Sequence, residues 1–373
     1  MKWSRPARPR GFHRADSCLA ALAAALVLAA GCADERAPAP EGARAATLDT
    51  VLRVDLSGLP TPTPASPVAV NEDRSRIAIG LRDGSGEIMV FDGEGELVRR
   101  FGRSGEGPGE FLEVTLLTYA PGSDTLWVLD RQNRRASAWG PGATEPSREI
   151  TLRGQFFGTA WASDTMLVVQ GHFEDGEAPD ALARAVHPGG VTPTLLEEGT
   201  GAAGSFDQFI RPLTAAEDGG LWVGHFREPR LRRLGPDLSE AGTFEYDAPA
   251  LTGPPENAEI WSGYIDTEPA VLGLTEDAMG ELWVLLGLLA DPLPAVDNPG
   301  RAIAEGEVSA EDLARTLLAR YDPDRLADGP LDEFERGPVR GGLLPGGLAY
   351  SFEPDELGEV TLIFVRLGSR EGP

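Results

Sequence analysis

Lysine is all but absent. Lys2 is the only one in 373 residues, so beyond the leader the basic side chains are arginines and a few histidines. That excludes a Schiff-base lysine and the lysine of a phosphate-binding loop. Cysteine is nearly as scarce. Cys18 lies in an apolar leader, which leaves Cys32 without a partner. An intrachain disulfide, a cysteine nucleophile and a thiolate metal site are excluded with it. The histidines after residue 31 are His172, His187 and His225, and no two have the spacing of a metal-binding pair. The apolar run at 18–30 holds 13 residues, short of the roughly 20 that span a bilayer. Positive charge is also short: 33 basic against 59 acidic residues give a net charge of −26. Without the first 31 residues the balance is 28 against 58, or about −30. Such a surface repels phosphates, so nucleic acid is excluded as a partner.

The first 31 residues read as an export signal. Lys2, Arg5, Arg8, Arg10 and Arg14 form a basic leader, and the apolar run ends in Leu28-Ala29-Ala30-Gly31-Cys32. This ending resembles the bacterial lipoprotein box, in which the cysteine is lipidated and becomes the mature N-terminus. The resemblance implies a signal peptide at 1–31, lipidation of Cys32 and an address in the bacterial cell envelope. Ala33 follows the cysteine where aspartate often marks inner-membrane retention, which favours the outer membrane. Residues 32–46 are a tether of alanine, proline and charge with nothing to bury. The ordered domain is expected at 47–373.

The tripeptide Leu-Trp-Val occurs three times, at 126–128, 221–223 and 282–284, each a few residues after an acidic, glycine-containing turn. A spaced turn-plus-strand repeat means a repeat architecture. Short runs of Val, Leu, Ile, Phe and Trp separated by Gly, Pro, Asp or Asn continue between the copies. Counting anchoring strands at Ala78, Trp127, Leu167, Trp222 and Trp283 gives intervals of 49, 40, 55 and 61 residues. Four-stranded propeller blades run roughly 40–50 residues. The expected fold is therefore all-β, a six-bladed β-propeller. Four strands can be assigned to each of units one to four, three to unit five and two to unit six. The strand at 47–56 has no partner in unit one and is expected to complete the last blade and close the ring. Residues 306–318 break the pattern and predict a short helix inserted in blade five, with Ser309 as N-cap and Asp312 three residues on.

The stretch 101–111, Phe-Gly-Arg-Ser-Gly-Glu-Gly-Pro-Gly-Glu-Phe, resembles the inter-blade signature of bacterial six-bladed propeller lipoproteins, relatives of the NHL-repeat proteins. Residues 124–135 are similar to the NHL-like blade: Asp130 after the strand, then Asn133, then arginine before the next strand. The resemblance implies a fold and an extracytoplasmic setting but no single reaction.

Four residues are candidate ligand contacts: Asp130 and Arg134, as polar groups on a strand loop, and His225 with Arg227, which follow the anchoring strand of blade four. Turn capping competes for Asp130 and His225. The glycine-rich stretch 102–109 reads as a linker, since no lysine or helix follows it. Tryptophans 127, 222 and 283 read as core. The favoured function is a lipid-anchored module whose channel face binds a small ligand or an envelope protein. The alternative is a calcium-dependent propeller hydrolase of the lactonase or esterase type. It would need Glu, Asn and Asp from separate blades to converge on one calcium, the one cofactor it would take. Asp73, Asp130, Asp164, Glu276 and Asp277 offer acids without singling out a set.

Overall fold

A computed structural model describes residues 49–368 except 61, 64–65, 174–182, 195–211, 249–250, 252–269, 290–292, 297, 306, 309–312, 337–340 and 356–357. The signal, the tether and Cys32 lie outside the described residues. The strands form six four-stranded antiparallel sheets. Blade one is β2 (Val68–Val70), β3 (Arg76–Gly80), β4 (Ile88–Asp92) and β5 (Leu97–Phe101). Blade two is β6 (Val114–Tyr119), β7 (Leu126–Asp130), β8 (Arg135–Trp139) and β9 (Arg148–Thr151). Blade three is β10 (Gly154–Ser163), β11 (Met166–Phe173), β12 (Ala183–His187) and β13 (Gly190–Thr194). Blade four is β14 (Leu213–Ala215), β15 (Leu221–Gly224), β16 (Arg230–Leu234) and β17 (Glu240–Glu245). Blade five is β18 (Ala270–Glu276), β19 (Leu282–Leu289), β20 (Ala314–Tyr321) and β21 (Asp332–Arg336).

Blade six is assembled from both ends of the domain. Its inner three strands are β22 (Gly341–Leu344), β23 (Leu348–Pro354) and β24 (Val360–Arg366), and its outermost is β1 (Asp49–Asp55). β1 pairs antiparallel with β24, from Asp49 opposite Arg366 to Asp55 opposite Thr361, with a bulge near Thr50. Val54 of β1 is fully buried and Leu56 nearly so. The ring therefore closes as the unpaired strand at 47–56 predicts. Two strands that sequence patterning left out, β21 and β22, are short and flanked by glycine and charge, so no run of apolar residues marks them.

The Leu-Trp-Val repeat explains how blades stack. Alternate residues of a strand face opposite sides of the sheet. Leu126 and Val128 pack with blade one, whereas Trp127 packs with blade three, edge-on to Trp161 at 6.2 Å. Leu221 and Val223 pack with blade three, and Trp222 with blade five. Leu282 and Val284 pack with blade four, and Trp283 with blade six. Each tripeptide thus presents two aliphatics backward and one indole forward, and an indole buries roughly 150–250 Å². All three indoles are buried, at 6%, 5% and 0% exposure.

A short helix, α1 (Pro299–Ala304), is inserted between β19 and β20 of blade five. It precedes the stretch at 306–318 where the sequence pattern places a helix. Asn298 is its N-cap, accepting a hydrogen bond from the Arg301 amide at 2.9 Å, and a proline occupies its first turn. Ser309 and Asp312 lie outside the described residues, and the stretch from Ala314, read as the helix end, is strand β20. The reason is the sheet: Leu317 and Leu318 face opposite sides, Leu317 with blade four and Leu318 with blade six, and only a strand can serve both. Leu293, Ala302, Val308 and Leu313 form a small core under the insertion.

Candidate functional site

The inner strands β2, β6, β10, β14, β18 and β22 each pair on one side only. Their other edges face the ring axis and surround a cavity of about 570 Å³. Unpaired peptide groups along these edges are strong hydrogen-bonding groups. The side chains between them are mostly apolar or hydroxyl-bearing: Phe157, Trp161, Leu272 and Leu343 among the former, Thr159 and Thr214 among the latter. Leu272 is 42% exposed, unusual for a leucine on an internal strand. The threonine protons are already engaged, Thr159 donating to the Val168 carbonyl at 3.0 Å and Thr214 to that of Ala215 at 3.3 Å. Two charged side chains, Glu72 and Arg74, line it, both in the turn between β2 and β3. The face carrying the turns between inner and second strands is called the lower face below, and the opposite one the upper face. Tyr119 also lines the channel, and burial, aided by the Asp124 carboxylate, pushes its hydroxyl up from the usual range.

The candidates named from sequence sit elsewhere. Asp130, Arg134, His225 and Arg227 occupy upper-face turns between second and third strands, in blades two and four, with blade three between them. None lines the channel. Asp130 is fully buried. Its carboxylate accepts from the amides of Leu112 and Glu113 at 3.0 Å each, from the Asn133 amide at 3.2 Å and from Asn133 Nδ2 at 2.7 Å. Asn133 also donates to the Gly105 carbonyl at 2.9 Å. Arg135 donates to the carbonyls of Gly107 and Glu110 and to Glu149. Asp130, Asn133 and Arg135 of blade two therefore clamp the 101–111 linker that delivers the chain from blade one. Arg134 is exposed and takes the left-handed turn position, φ +55°. Arg135 does the holding, and its signal is the strand alternation that turns it toward the linker.

The linker itself behaves as read. Gly102 has φ +86°, and a Cβ there would lie 2.4 Å from the Gly86 carbonyl oxygen, so only glycine fits. Phe101, Phe111 and Trp139 meet at 5.1–6.3 Å between blades one and two. Glu110 binds the Gly107 amide and Arg103, which together hold its carboxyl below the usual range.

His225 caps its own turn in blade four. Its Nδ1 accepts from the amides of Arg227 at 3.2 Å and Glu228 at 3.1 Å, and its Nε2 faces Glu228 at 3.8 Å. Arg227 lies over the Phe226 ring at 4.7 Å. The acids set out for a metal site are turn caps as well. Asp73 accepts from the Ser75 amide at 2.9 Å. Asp277 accepts from the Met279 and Glu281 amides and from Trp283 Nε1. Glu276 reaches across to blade four, taking the Glu217 amide at 3.1 Å and Trp222 Nε1 at 3.0 Å, and burial raises its carboxyl above the usual range. Among the described residues no three of His, Cys, Asp or Glu are grouped to hold a metal ion.

No protein-family model matches the sequence, and no curated protein matches it. Solved structures do. The ring is similar to a member of the DUF4221 family from Bacteroides vulgatus, with a TM-score of 0.60 and 12% identity over 88% of this chain and 99% of that one. It is also similar to an exported protein of Bacteroides fragilis, with a TM-score of 0.54 and 11% identity over 88% of this chain and 97% of that one. At such identities the likeness shows the fold alone: the chain is a six-bladed β-propeller.

Proposed function

We propose that this protein is a lipid-anchored binding module of the bacterial cell envelope, its ligand held in the channel of an NHL-like propeller. On this reading residues 1–31 direct export, Cys32 carries the lipid and residues 32–46 tether the ring to the outer membrane or its periplasmic face. The lipoprotein-like ending at Cys32 and the likeness to an exported Bacteroides protein support the address. The channel carries the activity: a cavity of about 570 Å³ falls within the size range of small-molecule sites, roughly 300–1,000 Å³, and combines apolar walls with a few polar groups.

The test is a thermal-shift screen of small molecules against the wild-type protein and Leu272→Trp, whose larger side chain would intrude into the channel and narrow it. A ligand at a hundredfold excess over its Kd adds about 2.7 kcal/mol to native stability, or roughly 4 °C for a ring of this length. The shift should vanish in Leu272→Trp while the unliganded melting temperature holds. Equal shifts in both proteins would place binding outside the channel and end the proposal. The anchor is tested separately: Cys32→Ser should move the protein from the membrane to the soluble fraction.

A further inference from the structure

We infer that Gln170 is the hydrogen-bonding anchor of the channel's ligand, and that the ligand carries a neutral head with a donor and an acceptor side by side, of the carboxamide, lactam or imide class. The inference rests on the channel reading above. Gln170 lies on β11 of blade three and has 0% exposure. Neither its Oε1 nor its Nε2 has a hydrogen-bond partner among the described residues. Burying an amide without partners costs free energy that the fold does not return. Native proteins hold few such groups, and each calls for a reason.

Strand alternation gives the direction of the amide. Val168, two residues back on the same face, packs with Leu221 and Val223 of blade four, so Gln170 points into the seam between blades three and four. Its sheet neighbours on that face are small. Gly158 and Ala183 stand opposite Gln170, and Ala160 and Ala185 stand opposite Val168. The seam reaches the channel. Gly158 and Ala160 belong to the channel lining on one side and Leu213 of blade four on the other, while Ala160 and Leu213 also pack in the seam. Gly158 is the inner-strand residue beside Gln170, and it puts no side chain between the amide and the channel. The pairing of β10 with β11 skips Phe157 at the same point. Such bulges re-aim side chains beside functional sites, and Phe157 lines the channel.

Other blades fill this position with hydrocarbon. By the face it presents forward, Val168 stands where blades two, four and five carry Trp127, Trp222 and Trp283. Two residues on from the tryptophan, blade two has Leu129 and blade five Leu285, both buried. The matching positions of blades one and four are Gly80 and Gly224, and there the next blade supplies the aliphatic. A Cβ on Gly80 would lie 2.9 Å from Val114, and one on Gly224 3.0 Å from Leu274. Of these five blades, only blade three puts a polar group there. A leucine would close the seam with apolar surface; the sequence places an amide instead. That amide donates and accepts side by side, and its complement is a group that does the same in reverse. A charged head would lose its hydration against a neutral partner. The apolar lining at Phe157, Leu272 and Leu343 suits the rest of the ligand.

The experiment titrates the full chain carrying Cys32→Ser, collected as exported soluble protein, with benzamide, acetophenone and N,N-dimethylbenzamide, and follows saturation by ligand-observed NMR. Acetophenone keeps the shape and acceptor of benzamide and lacks its donor; the dimethyl amide also lacks it. Benzamide should bind roughly tenfold more tightly than either, since a site built to hydrogen-bond a group rejects analogues without it. Gln170→Met should bring the three affinities together. Gln170→Leu, the residue that blades two and five carry, serves as the second variant and should do the same. Both should melt as high as the parent or a few degrees higher, because they remove a buried amide without partners. Melting several degrees lower in both would mean that the fold itself satisfies the amide, and it overturns the anchor. Equal affinities in the parent, or a preference that survives both variants, leave an internal water as the amide's only partner; they overturn the anchor and leave the channel reading standing. No binding of benzamide up to its solubility limit also overturns the anchor, and the channel reading is then decided by the screen above. Benzamide binding that persists unchanged in Leu272→Trp lies outside the channel and overturns both.

Discussion

Replacing Val54 by aspartate should open the ring at its seam. Val54 is fully buried on β1, opposite Leu362 and packed with Ile77, Phe91 and Phe364 where blade six meets blade one. The turn of blade one leans on the same point, since a Cβ on Gly95 would lie 3.0 Å from the Arg53 carbonyl oxygen. The substitution forfeits the valine's burial, about 1.5–3 kcal/mol. It also leaves a carboxylate unpaired in an apolar seam, a cost of about 3–5 kcal/mol where buried charges lose their partners. With relief by partial exposure, a net loss of about 5 kcal/mol is a large fraction of the 5–15 kcal/mol that native proteins hold. At roughly 2.1 cal/mol/K per residue over the ring, the melting temperature falls by about 7 °C. Val51, 37% exposed on the same strand, supplies the matched control: Val51→Asp should shift melting by about 1 °C or less, as surface substitutions do. Release of β1 also bares the edge of β24, so Val54→Asp should form dimers or larger species on size exclusion. Equal melting of the two aspartate variants would refute ring closure by β1, as would a deletion of 49–56 that leaves stability untouched.

Asp130→Ala should destabilise the ring by about 3 kcal/mol, since it strands the buried amides of Leu112 and Glu113, and urea denaturation would read it. The same variant should bind any channel ligand unchanged, because Asp130 lies outside the lining. Glu276 is the pH-dependent tie. Its carboxyl is raised on folding, so the native state binds the proton more tightly. Its contribution to stability is present at low pH and is lost as pH rises through its folded pKa. Glu276→Gln, whose amide oxygen can still accept from Glu217 and Trp222, should therefore flatten that decline in melting scans between pH 4 and 7, and a steeper decline would contradict the burial argument. Glu110 acts in the opposite sense: its lowered carboxyl supports the linker above the usual Glu range and releases it on acidification, so Glu110→Gln should weaken the acid-side loss. Melting with calcium against EDTA should coincide, and a rise with calcium would favour the hydrolase reading.

The fold was legible because its information is local. The Leu-Trp-Val strands repeat, and one period-two rule decides which neighbour each side chain meets. β1 was legible by subtraction, as a strand with no partner nearby. The end of the predicted helix was misjudged because Leu317 and Leu318 satisfy a helical face as well as a strand, and only the two adjoining blades decide between them. The candidate site was far less legible. Asp130 and His225 attract notice as chemistry-bearing residues, yet their atoms are occupied by backbone amides, those of the inter-blade linker and its own turn for Asp130 and those of its own turn for His225. The channel is made by backbone edges and by Thr, Leu and Phe from strands up to some 280 residues apart, whose types carry no signal individually.

The strand that closes the ring also sets where the preceding chain joins it. β1 enters at Asp49, opposite Arg366, which in turn lies opposite Leu348 beside the lower-face turn of blade six. The polypeptide leading to Asp49 therefore arrives at the rim of the face where Arg74 opens the channel. If residue 32 carries a lipid, the 16 residues from 33 to 48, at up to about 3.3–3.6 Å each, let that rim stand roughly 50 Å from the bilayer.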